Sequence, residues 1–169
     1  TIIACCIARE LNKRGLVICP PGLMGDKNKT TGWRMYLEQF QLYNWEVRSL
    51  GDLEETAKFV NKTKNLEVVI VDEVHRFRNQ DTRDYELLQN ICREKNVILL
   101  TATPFNNKPA DILSLLKLFI TPKKSTITLE NDLIAMFRSF KGTFDHLSYI
   151  RRYYNSINPD KSKKARAYY

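Results

Sequence analysis

Three short runs of consecutive apolar residues punctuate this chain: Leu16–Cys19, Val68–Val71 and Val97–Leu100. A strand that is apolar at every position, rather than at alternate ones, needs burial on both of its faces. That points to a parallel sheet covered by helices on two sides. Stretches at helical spacing separate the runs. Trp33 to Tyr43 places Trp33, Leu37 and Phe40 on one face, and Arg83 to Glu94 does the same with Leu87, Leu88 and Ile91. Asp52 is placed to cap a helix reaching Lys62, with Glu54 and Glu55 in the first turn, where the helix dipole favours them. Strands alternating with helices select an α/β fold. Trp45 to Leu50 supplies a further strand, and Thr1 to Lys13 a leading helix that stops near Gly15. A last helix of this series is expected to be capped by Asn107, to carry Pro109 in its first turn, and to run through Ile112, Leu116 and Phe119.

The pattern changes after Pro122. Leu133, Met136, Phe137, Phe140 and Phe144 recur at helical spacing, followed by Leu147, Ile150 and Tyr154. This predicts two helices outside the sheet, with Phe137, Phe140 and Phe144 forming the core of the pair. The stretch from Pro159 onward, ending KSKKARAYY, reads as a frayed end. Charge shifts at the same place. Residues 1–120 hold 17 Lys and Arg against 15 Asp and Glu, whereas residues 121–169 hold 10 against 4. Basic surface of this kind favours phosphate backbones through counterion release, and it equally suits a solvated tail. Two domains follow from the sequence: 1–120 and a helical, basic extension over 121–169.

In a parallel sheet, functional loops gather beyond the carboxyl ends of the strands. Three polar clusters occupy that position here: Pro20 to Gly22, Asp72 with Glu73, and Thr101 to Thr103. An Asp-Glu pair closing a buried strand suits magnesium-nucleotide chemistry, with one carboxylate for the metal and the next for the attacking water. A lone Asp-Glu pair is more often a helix cap or a surface turn, so the convergence of the three clusters carries the weight.

No metal-ligand spacing links Cys5, Cys6, Cys19 and Cys92. Each stands in an apolar stretch, which reads as buried thiols in a reducing, intracellular setting. No apolar run reaches the length of a membrane span, and no secretory leader opens the sequence.

The strings DEVHRFRN, Asp72 to Asn79, and TATPFNN, Thr101 to Asn107, resemble motifs II and III of superfamily 2 helicases. In their longer forms, DE-x-H-R-x-x-N and T-A-T-P-x-x-N, they are most similar to the Swi/Snf-type branch of DNA translocases. The resemblance implies a RecA-like first lobe that binds ATP and Mg²⁺. By the same resemblance Asp72 holds the metal through water, and Glu73 positions or deprotonates the water that attacks the γ-phosphate. His75 couples nucleotide state to the Thr101 and Thr103 hydroxyls, while Arg76 and Asn79 match the family string. VICPPGL, Val17 to Leu23, resembles motif Ia, which in the family touches the tracked DNA strand. Trp33, Glu38 and Phe40 resemble the W…E…F pattern that follows it. On this basis Pro20, Pro21, Gly22, Lys27 and Lys29 are the expected nucleic-acid contacts. The other expected partner is a second RecA-like lobe carrying the arginine finger.

TIIA, Thr1 to Ala4, resembles the helix that follows G-K-T in the family's P-loop. Thr1 is thereby expected as a cofactor residue and hydroxyl ligand to Mg²⁺, and the piece, lacking the Gly-rich cradle and its Lys, as inactive on its own. Gly22 to Gly32, with Lys29-Thr30, imitates a P-loop setting, yet Asn28 stands where the motif needs Gly. Val74 replaces the Ala of DEAH-type boxes, and no T-T-Y-E-like segment lies between Trp45 and Asn65. Two other classes fit less of the pattern. One is a non-catalytic nucleic-acid-binding module with a helicase-like fold. The other is a metal hydrolase using Asp72, Glu73 and His75, for which the only further histidine is His146.

Overall fold

The computed structural model describes residues 1–103, 109–120 and 132–169. It divides into two compact units, Thr1–Pro104 with Ser114–Phe119, and Phe105–Leu113 with Ile120–Tyr169. In the first unit the chain runs α1 (Ile2–Leu11), β1 (Gly15–Cys19), α2 (Gly32–Gln39), β2 (Glu46–Ser49), α3 (Leu53–Lys62), β3 (Val68–Val71), α4 (Arg83–Cys92) and β4 (Asn96–Leu99). The four strands form one sheet in the order β2-β1-β3-β4, and every pairing is parallel. This is the expected RecA-like arrangement of a parallel sheet flanked by helices, with a small helical extension at the C-terminal end.

The apolar runs of β1 and β3 are buried on both faces, as the sequence requires. In β1, Leu16 and Ile18 face a core built from α3 and α4 with Leu115 and Leu118. Val17 and Cys19 face a second core built from α1 and α2. In β3, Val69 and Val71 join the first core, and Val68 and Ile70 the second. Burying one such side chain is worth about 1.5–3 kcal/mol. The edge strand β4 departs from the expectation: Val97, Ile98 and Leu99 are only half-buried, because among the described residues this strand has a partner on one side alone. Gly15 opens β1 because a Cβ there would stand 2.4 Å from the Trp45 ring, whose Nε1–H donates to the Lys13 carbonyl at 3.0 Å.

Local signals set most helix ends. Asp52 accepts from the Glu55 N–H at 3.4 Å, and Thr82 accepts from the Tyr85 N–H at 3.2 Å. Helix α1 stops earlier than Gly15, because Asn12 adopts a left-handed conformation at φ 48° and closes it. Helix α2 ends at Gln39 rather than Tyr43.

The next helix, α5 (Pro109–Leu116), ends before Phe119, and the Asn107 cap expected for it lies outside the described residues. Two expectations for the C-terminal segment are corrected. The apolar pattern from Leu133 to Tyr154 forms one helix, α6 (Leu133–Tyr153), not two, since no Pro or cap interrupts it and Asp132 accepts from the N–H groups of Ile134 and Ala135. The presumed frayed end is helix α7 (Pro159–Tyr168), started by Pro at its first position and by Asn158 accepting from the Asp160 and Lys161 N–H groups.

The core of the pair also differs from the three phenylalanines. Phe140 is 55% exposed. The α6–α7 contact is made instead by Tyr149 against Tyr168 and by Lys161 over the Tyr153 ring at 5.0 Å, with His146 stacked on Tyr168 at 4.2 Å and Ala165 fully buried. Periodicity alone cannot tell which apolar stripe of a long helix meets its partner. No helix among the described residues is long and apolar enough to cross a membrane.

Candidate nucleotide and nucleic-acid site

Strand order reverses between β1 and β3, so their carboxyl ends open the crevice where ligands bind in sheets of this type. Asp72 stands there, its backbone N–H still bonded to the Ile18 carbonyl at 2.9 Å. Its two carboxylate oxygens are each held by one donor. Oδ1 accepts from the Glu73 N–H at 2.9 Å, and Oδ2 accepts from the Trp33 indole Nε1–H at 2.8 Å.

Glu73 turns the chain out of the strand in a left-handed conformation, φ 54° and ψ 40°, which is uncommon for a residue with a side chain and recurs at functional turns. A 3-10 turn over Val74–Phe77 follows, tied to the neighbouring strand by the Val74 N–H on the Leu100 carbonyl at 3.1 Å.

His75 Nδ1 lies 3.0 Å from Glu73 Oε2 and 3.4 Å from Thr101 Oγ1. A carboxylate only accepts, so the tautomer with hydrogen on Nδ1 satisfies Glu73. Thr103 does not meet His75. Its N–H donates to Thr101 Oγ1 at 3.1 Å, and its own hydroxyl accepts from Arg78 Nη2 at 3.1 Å. The same Arg78 Nη2 donates to the Thr103 carbonyl. Arg78 is half-buried and bridges the two polar clusters. Arg76 is exposed. Asn79 accepts from the Asp81 N–H at 3.1 Å in a local turn leading into α4. Next to it, Gln80 donates to Ser114 Oγ at 2.7 Å and accepts from Lys117 at 3.1 Å. Residues 104–107 of the second string lie outside the described residues.

Cys19, at the end of β1, is a neutral thiol. Burial first, and the charge of Asp72 second, push it up to about 12, with Arg34 partly offsetting them. Burial likewise raises Cys5 to about 11 and Cys92 to about 12. These are structural thiols as expected, except that Cys6 is only half-buried. Among the described residues no three His, Cys, Asp or Glu gather as a metal-binding group. Mg²⁺ keeps much of its water and takes one or two carboxylates plus phosphate, so the test of fit is the free coordination of Asp72. Asp72 retains lone pairs on both oxygens, since each accepts a single bond among the described residues.

The loop after β1 begins with a 3-10 turn over Pro21–Leu23, and Pro21, Gly22, Lys27 and Lys29 are exposed, with Pro20 half-buried. Asp26 organises the rest. It accepts from the Thr30 and Thr31 N–H groups at 2.8 and 2.9 Å, from both their hydroxyls at 3.0 and 3.1 Å, and from the Asn28 N–H at 3.2 Å. The loop's own carboxylate thus occupies the N–H groups that a P-loop would offer to phosphate. Lys29 pairs with Glu38 at 2.5 Å. Gly25 (φ +90°) and Gly32 (φ +59°) let the loop close: a Cβ on Gly25 would stand 2.0 Å from the Thr31 carbonyl oxygen, and one on Gly32 2.6 Å from the Gly25 nitrogen.

Desolvation raises the Asp26 carboxyl, but the Thr30 and Thr31 donors outweigh it and hold the group at about 2, below its ordinary 3.8. A depressed folded-state pKa contributes stability above pH 3.8 that is lost as pH falls towards 2. The Thr30 and Thr31 amides are therefore expected to lose hydrogen-exchange protection across that window in the wild type. In Asp26→Asn that pH dependence should vanish, and an identical acid profile in the variant would refute the assignment.

Thr1 stands exposed at the start of α1, and its carbonyl accepts from the Cys5 N–H at 3.1 Å. The structure thus gathers Asp72, Glu73, His75, Thr101, Thr103 and Arg78 into one bonded network, with Trp33 joined to it from α2. Trp33 and Arg78 are the members whose contacts the sequence did not reveal. The only signal was chemical: a buried indole N–H needs an acceptor.

Comparisons with known proteins agree with the fold. The family profile described as SNF2-related domain matches residues 12–137. The uncharacterized ATP-dependent helicase YqhH of Bacillus subtilis (strain 168) is 25% identical over 158 residues, covering 88% of this chain and 28% of that protein. A solved structure, the Sulfolobus solfataricus SWI2/SNF2 ATPase core in complex with dsDNA, superposes with a TM-score of 0.52 at 15% identity, over 99% of this chain and 50% of that one. The chain therefore spans well under a third of the length of YqhH.

Proposed function

This chain belongs to the superfamily 2 SNF2-related domain family, and on that premise we propose that it forms the first RecA-like ATPase lobe of a Swi/Snf-type DNA translocase. The observation that carries the reading is the bonded network from Trp33 through Asp72, Glu73 and His75 to Thr101 at the carboxyl edge of the sheet. Residues 1–120 are the lobe, and 121–169 its basic helical extension.

Asp72, with the Thr1 hydroxyl, would hold Mg²⁺, which would supply charge neutralisation to the phosphates of ATP. Glu73 orients the attacking water and takes its proton. At rest that carboxylate accepts from His75, so its engagement with water is coupled to His75 and, through it, to Thr101. Arg78 extends the coupling to Thr103, and Arg76 and Asn79 border the same turn. Pro20, Pro21, Gly22, Lys27 and Lys29 lie along the path of a DNA backbone, in keeping with the dsDNA bound by the S. solfataricus core. A second RecA-like lobe would complete the catalytic site. A DNA partner implies an intracellular setting.

The test is ATP hydrolysis by the full-length protein with duplex DNA across a salt series. Stimulation by DNA that weakens steadily as salt rises is expected, since phosphate contacts release counterions. DNA binding without any stimulated hydrolysis would favour the non-catalytic binding module instead.

A further inference from the structure

Trp33 is 2% exposed, and its indole N–H donates to a carboxylate rather than to a backbone carbonyl such as the one that satisfies Trp45. A bond to an ionised acceptor is the stronger kind. With the Glu73 N–H on the other oxygen, two donors fix the rotation of the Asp72 carboxylate and leave each oxygen free to accept more. Trp33 is itself held. The N-terminus of α2 is locked to the preceding loop by the Arg34 N–H on the Met24 carbonyl at 3.1 Å and by Arg34 Nη1 on the Gly25 carbonyl at 2.8 Å.

We propose that Trp33 is a positioning residue for the metal-binding carboxylate: its indole N–H presets Asp72 for Mg²⁺ and ties that geometry to the loop after β1. The proposal rests on the reading of Asp72 as the metal ligand. Outer-shell donors of this type change metal affinity by about 10-fold or more when removed.

In the full-length protein, Trp33→Phe keeps the ring and removes the donor. Manganese binding in the presence of a non-hydrolysable ATP analogue, read by electron paramagnetic resonance, should weaken by about 10-fold. The Mg²⁺ concentration for half-maximal hydrolysis should rise in parallel, with turnover at saturating Mg²⁺ largely kept. Unchanged manganese affinity in a variant of wild-type Tm, alongside an Asp72→Ala variant that has lost it, overturns the role of Trp33 alone. Wild-type affinity in Asp72→Ala overturns the site reading and the role of Trp33 together. Should Trp33→Phe fail to fold, the wild-type protein labelled with ¹⁵N-tryptophan decides. The Trp33 indole N–H resonance is expected to shift when Mg²⁺ joins the bound analogue, and a static resonance overturns the proposal.

Discussion

Replacing Glu73 with Gln in the full-length protein is expected to leave nucleotide bound while lowering hydrolysis by about 10²–10⁴-fold, the usual contribution of a positioned general base. Three features make this substitution clean. The left-handed turn at Glu73 is held by its backbone N–H on Asp72 Oδ1, a bond that does not involve the side chain. The Gln carbonyl oxygen can still accept from His75 as Glu73 Oε2 does now, so the network keeps its shape. Only the ability to take a proton is lost. Nucleotide affinity, measured with a fluorescent analogue, should stay within a few-fold of wild type. DNA-stimulated turnover at the wild-type rate in this variant would remove Glu73 from the chemistry.

The largest effect on stability is expected from opening a cavity at the centre of the sheet. Ile70 is fully buried in β3, between β1 and β4, and packs into the core that also holds Trp33. Ile70→Ala should cost about 2–5 kcal/mol, a large share of the roughly 5–15 kcal/mol that holds an ordinary domain folded. Ile18 in β1 is equally buried but belongs to the opposite core. Ile18→Ala should cost a comparable amount, because this sheet has no solvent face at its centre. The comparison is made by urea denaturation, reading the midpoint shift of each variant. A sheet with one open face would tolerate one of the two substitutions, and that result would contradict burial of both faces.

The strands were legible because continuous apolar runs have few other uses in a chain of this size. The end of β4 was less so. Val97, Ile98 and Leu99 look as buried as Val68–Val71 in the sequence, and their half-exposure follows only from an edge position in the described sheet. Helix starts with local caps at Asp52 and Thr82 obey short-range rules. The pairing of α6 with α7 does not, because a long amphipathic pattern offers several stripes. The partner helix chose the one with Tyr149 and Tyr153, met by Tyr168 and Lys161, rather than the exposed Phe140.

The candidate site divides in the same way. The acidic pair at the end of a buried strand, the threonine cluster beside it, and the family to which both point are all legible in the residue order. Strand burial and chain order are properties of neighbouring residues, and a local pattern records them. Packing in three dimensions is what brings the Trp33 indole to Asp72 across 39 positions of chain, Arg78 to Thr103 across 25, and Asp26 onto its own loop's donors. The first two bonds exist because helix, strand and loop pack against one another. No periodicity specifies which buried donor will find which carboxylate.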